Sequence, residues 1–134
     1  MSIVGLKIEQ GGHLWEVTNA RREGPQSRIS FRSVSDPRCK ALGYVEGGGT
    51  PATGVVGEAL LAAAYRWFPD RDGRVWRAEI SPRYEMGAID GFWLIFSAED
   101  GPDREKYAYD GSDALGALPD IKLLECLLRA RQGL

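Results

Sequence analysis

One histidine, His13, and two cysteines, Cys39 and Cys126, are all the chain offers of the side chains that most often bind metals or pair as nucleophile and base. The cysteines stand far apart and form no Cys-x-x-Cys pair, so their spacing gives no zinc framework. A hydrolase triad would rest wholly on His13, and no serine or cysteine has a nucleophile-elbow context such as Gly-x-Ser-x-Gly. Cys126 lies in a Leu-rich helical run, where a reduced thiol acts as a small apolar group. From spacing alone, no catalytic residue and no metal ligand is assigned, and no cofactor is expected.

Two further stretches imitate known sites and fail on detail. The run Glu46-Gly47-Gly48-Gly49-Thr50-Pro51-Ala52-Thr53-Gly54 leads into a helical pattern, as a phosphate cradle would. A nucleotide loop needs Lys and Ser/Thr after its last glycine, and here Val55-Val56 follow. Asp70, Asp72 and Gly73 resemble the start of a calcium loop, but the twelfth position is Ser81 where a glutamate is required. The acidic group Glu99, Asp100, Asp103 and Glu105 reads as a solvated turn.

Charge carries more information than motif. Up to Val45 seven basic residues face four acidic ones, a balance of +3; from Glu46 onward ten face fifteen, a balance of −5. Arg21, Arg22, Arg28, Arg32 and Arg38 are the candidate contacts for a polyanion or an acidic partner. The formal charge of −2 and pI near 5.5 give no overall attraction to nucleic acid or anionic lipid.

The elements that must hold these residues follow from hydrophobic period. The stretch Thr50 to Phe68 is expected as one helix, with Val56, Leu60, Ala63 and Trp67 on its buried stripe, Arg66 off it, and Thr50 or Thr53 as N-cap. Alternating patterns predict strands at Ile3–Ile8, Leu14–Thr18, Ile29–Ser33, Ala41–Val45, Val75–Ile80, Phe92–Phe96 and Lys106–Tyr109. Ser81 to Gly91 is expected as a loop. A second helix is expected from Pro119 to Arg131, burying Ile121, Leu124 and Leu128 beside Leu123 and Leu127. The fold class is α+β: a mostly antiparallel sheet, or two related sheets, with two amphipathic helices packed on it. The order strand, strand, strand, helix occurs twice, over about 14–68 and 75–131, which suggests two βββα units within one domain spanning 1–134.

The stretch Phe92-Trp93-Leu94-Ile95-Phe96 is apolar on both faces. Trp93 and Ile95 point away from Leu94 and Phe96, so either a second helix layer or another chain must cover them, and they form the candidate interface. The leading expectation is therefore a small cytoplasmic binding domain that acts through a protein partner or a second copy of itself. One alternative is a nucleic-acid-binding module using the N-terminal arginines. The other is an enzyme or small-ligand carrier with a pocket lined by Trp15, Trp76, Tyr107 or Tyr109. No apolar run approaches the roughly 20 residues of a membrane helix.

Overall fold

A computed structural model describes residues 2–47 and 50–133. Eight strands form one antiparallel sheet whose spatial order is the chain order. They are β1 (Lys7–Gln10), β2 (His13–Glu23), β3 (Gln26–Ser33), β4 (Lys40–Glu46), β5 (Tyr65–Pro69), β6 (Val75–Glu85), β7 (Ala88–Ala98) and β8 (Arg104–Tyr109). Helix α1 (Thr53–Leu61) joins β4 to β5, and α2 (Asp120–Arg131) ends the chain after a 3₁₀ turn at Leu115–Ala117. Neighbouring strands are mostly joined by tight turns. Gly11 and Gly12, at φ +58° and +85°, make the two-residue turn between β1 and β2 with the backbone twist that suits a hairpin.

Strand alternation sorts side chains onto two faces, and the register carries that sorting across the sheet. Val17 lies opposite Phe31, Phe31 opposite Ala41, Ala41 opposite Arg66, Arg66 opposite Ala78, and Ala78 opposite Phe96. Val56 and Leu60 of α1 pack on the first part of this face with Trp15, Ile29 and Phe31. Leu123 and Leu127 of α2 pack on the second part with Trp76, Leu94 and Phe96. Each of these buried aliphatic side chains contributes about 1.5–3 kcal/mol, which is how a nine-residue α1 is held in place. Both helices therefore lie on the same face, and among the described residues no element covers the other.

Several sequence expectations need correction. The stretch Thr50 to Phe68 is not one helix: α1 stops at Leu61, and Tyr65–Pro69 is strand β5. In Tyr65-Arg66-Trp67-Phe68 a period of two wins, so Arg66 goes inward with Phe68 while Trp67 faces the open side; Arg66 and Trp67 thus exchange the sides that a helix would give them. The residue before α1 is Ala52, without a side-chain cap, so neither Thr50 nor Thr53 caps it. Each helix follows four strands: before α1 the fourth is β1, the expected Ile3–Ile8 strand that lies outside the 14–68 unit, and before α2 it is β5, which the sequence pattern presents as helix. Ser81 to Gly91 is not a loop but the outer part of the β6–β7 hairpin, turned by Met86 and Gly87 at φ +53° and +82°. On α2 the buried residues are Leu123, Cys126 and Leu127, whereas Ile121 is 69% exposed and Leu124 and Leu128 are half-buried. Gly48 and Gly49 of the glycine run lie outside the described residues.

Candidate functional site

Two places bring polar side chains together. The first lies at the seam between the two apolar clusters. Arg66, on the central strand β5, has no exposed surface at all. Its Nη1 donates to the carbonyls of Leu115 and Leu118 at 3.1 and 2.9 Å, and its Nη2 donates to Asp120 Oδ1 at 2.8 Å. The guanidinium lies 5.1 Å from the centre of the Trp15 ring. Burial pulls its pKa down, while the Asp120 carboxylate beside it pushes the other way.

The other Asp120 oxygen collects two more groups. His13 Nε2 lies 2.8 Å from Oδ2, and the Cys39 thiol donates to the same atom at 3.2 Å. His13 Nδ1 lies 2.8 Å from Ser33 Oγ, which in turn lies 3.2 Å from Ser35 Oγ. Strands β2, β3 and β5, the turn before β4 and the start of α2 are thus tied to one carboxylate, itself one-third exposed. Spacing could not show this, because the residues come from positions 13, 33, 39, 66 and 120. A polar residue at an inward position of a strand, as Arg66 is once Phe68 sets the phase, was the only available signal.

Chemically, Ser33, His13 and Asp120 form a hydrogen-bonded chain in the order of a hydrolase triad. Ser33 is only 1% exposed, so its hydroxyl sits in the packed interior where no acyl substrate can reach it. His13, Cys39 and Asp120 also place three potential metal-ligand atoms within 4.8 Å of one another. Arg66 supplies the compensating positive charge, and each of the three already partners another in hydrogen bonds. Burial, and then the Asp120 charge, pushes the Cys39 thiol up to about 12, so it is protonated and unreactive near neutral pH. Burial also raises Cys126, and both thiols are free. The arrangement acts as a clasp between sheet and helix.

The second place is the uncovered face. Register assigns to it Arg28, Ser30 and Arg32 of β3, Lys40, Leu42 and Tyr44 of β4, and Tyr65 and Trp67 of β5. Arg77 and Glu79 of β6, Trp93 and Ile95 of β7, and Lys106 of β8 continue it. Three depressions meet at Trp67. One, of about 260 Å³, is lined by Arg28, Ser30, Arg32, Lys40 and Leu42; the others include Arg38 with Lys40, and Arg77 with Ser97. The Tyr65 and Trp67 rings lie 6.0 Å apart. Arg77 sits 4.7 Å over the Tyr65 ring, and Lys106 and Arg83 sit 4.2 and 5.5 Å over that of Trp93.

The sequence candidates divide accordingly. Trp93 and Ile95 are on the uncovered face, half-buried by their neighbours. Arg21, Arg28 and Arg32 share that face by register. Arg22 falls on the opposite side, where its Nε donates to the Gly24 carbonyl. Arg38 is held in a turn by a two-pronged pair with Asp36. Trp67, Lys40 and Arg77 were missed, the first because it was assigned to a helix.

The remaining imitations resolve into structural roles. Asp70 Oδ1 accepts from the Asp72 and Arg74 amides, and Oδ2 accepts from the Trp76 indole, which fixes the β5–β6 turn. Burial alone would raise its pKa, but these hydrogen bonds outweigh it and hold the carboxyl below the usual range. Arg74 bridges Asp100 and Asp103 at 2.7 and 2.8 Å within the acidic turn. Trp15, Trp76 and Tyr109 are core side chains, with Tyr107 packed against the cluster that holds Trp76 and Tyr109, rather than the lining of an open pocket. No helix among the described residues is long and apolar enough to cross a membrane. No family model, no curated protein and no solved structure matches the chain.

Proposed function

We propose that this is a non-enzymatic binding protein whose working surface is the uncovered face of its sheet, engaged by a protein partner or by a second copy. One observation carries the reading: both helices pack on the same side, leaving a face where three depressions converge on Trp67. Half-buried aromatic side chains among cations suit the centre of an interface, where aromatics and arginine are enriched. The repeated element order supports, within the same reading, an internal duplication that places Trp15 and Trp76 at corresponding positions on the second strand of each half.

Light scattering over a range of concentrations separates the two kinds of occupant. For a captured partner, oxidative footprinting of the complex locates the contact. We expect protection of Trp67 and Trp93 on binding, and loss of binding in Trp67→Glu. Protection confined to the helix side, for example at Ile121 and Leu124, would overturn the assignment.

A further inference from the structure

Taking the uncovered face as the binding surface, we propose that its occupant is an acidic polypeptide segment, laid across β3 to β6 and centred on Trp67. The charge of the face is the first reason. Arg28, Arg32, Lys40 and Arg77 line the depressions at Trp67, with Glu99 at the rim of two of them. Of the other acids nearby, Glu23 lies 3.9 Å from Arg28 and Glu79 lies 4.0 Å from Arg77, so cations still outnumber acids around the ring. Arg32 and Lys40 are exposed and, among the described residues, make no ion pair. Arg77 Nε is buried without a hydrogen-bond acceptor, while the guanidinium borders a depression. A carboxylate in that depression would meet the exposed end of the same guanidinium, whose side chain is 40% exposed.

Shape sets the length of the occupant. Four neighbouring strands cover roughly 14 Å, so about four extended residues cross the basic strip, with the half-buried Trp67 offering apolar contact between the charges. The aromatic arrangement favours polypeptide over nucleic acid. Arg77 already lies on Tyr65, and Lys106 and Arg83 on Trp93, so these rings present cations outward instead of bare faces for base stacking. The Tyr65 and Trp67 rings are inclined at 48°, which gives no parallel pair of platforms. The net charge of −2 also disfavours a long polyanion that must run past the strip, whereas a short segment stays within it. A second copy is a poor donor of the segment, because Arg74 already occupies Asp100 and Asp103 in the acidic turn.

The test is a fluorescence anisotropy titration of the full chain at low salt, with a labelled peptide of ten glutamates, an oligolysine of equal length and an oligodeoxythymidylate. We expect the glutamate peptide to bind, to weaken steeply as salt rises, and to lose about tenfold in affinity with Lys40→Glu combined with Arg32→Glu. Both positions are exposed, so circular dichroism of the variant should match that of the unaltered protein. Absence of glutamate-peptide binding, affinity indifferent to the charge reversals, or tighter binding of the oligonucleotide would each overturn the proposal. The binding-face reading fails separately, if a natural partner leaves Trp67 and Trp93 reactive whatever its charge.

Discussion

Arg66→Ala is expected to lower the free energy of unfolding by about 3–5 kcal/mol, read as a shift of the urea midpoint at unchanged slope. The side chain is wholly buried, so its removal opens a cavity beside Trp15 and strands the Leu115 and Leu118 carbonyls. Asp120 loses its cation as well, but it is one-third exposed and can draw in water, which moderates that part of the cost. Asp120→Asn is expected to cost a comparable amount for a different reason. It keeps an acceptor near His13 and Cys39 yet leaves the guanidinium charged in an apolar seam. The double variant Arg66→Met with Asp120→Asn should cost clearly less than the sum of Arg66→Met and Asp120→Asn, because the penalty in each single change is the charge left behind. Single costs below about 1 kcal/mol would mean the pair behaves as a surface contact.

The other large effect concerns a glycine. In Gly116→Ala the new Cβ would overlap the Leu60 carbonyl oxygen and lie 2.8 Å from Leu61 Cα. Both are backbone atoms at the end of α1, so the 3₁₀ turn must lift off the helix. We expect a cost at or beyond the upper end of the usual range for overpacking, about 3 kcal/mol. Gly57→Ala supplies the contrast. It lies inside α1 with nothing within 4 Å of an added Cβ, and it should stabilise the protein by about 0.5–1 kcal/mol. A thermal melt of the two variants should therefore shift in opposite directions.

These contacts show what the sequence could and could not convey. Alternation in Trp15-Glu16-Val17 and Ile29-Ser30-Phe31 is a local property, and it placed those strands and their inward faces correctly. Val56 and Leu60 were likewise readable as the buried side of a helix. The error at Tyr65-Arg66-Trp67-Phe68 arose because four residues continuing an apolar run fit a period of 3.6 about as well as a period of 2. Only the pairing of β5 with β4 and β6 decides between them. That one misassignment hid both sites, since Arg66 is the heart of the clasp and Trp67 the centre of the open face. The clasp was hidden for a second reason: Asp120 meets His13 across 107 residues of chain, and no motif spans such a distance. Ile121 repeats Leu124 and Leu128 at helical spacing and so reads as core, but the packed side of α2 is centred on Leu123, Cys126 and Leu127, a choice that tertiary packing alone decides.

The four tryptophans report directly on how the sheet is dressed. Trp15 and Trp76 lie beneath the helices with at most 1% of their surface exposed, while Trp67 and Trp93 belong to the bare face. Brief hydroxyl-radical oxidation of the dilute monomer, followed by peptide mass spectrometry, should modify Trp67 and Trp93 and spare Trp15 and Trp76. Equal reactivity of all four, or oxidation of Trp15 and Trp76 with Trp67 untouched, would contradict the placement of both helices on one side.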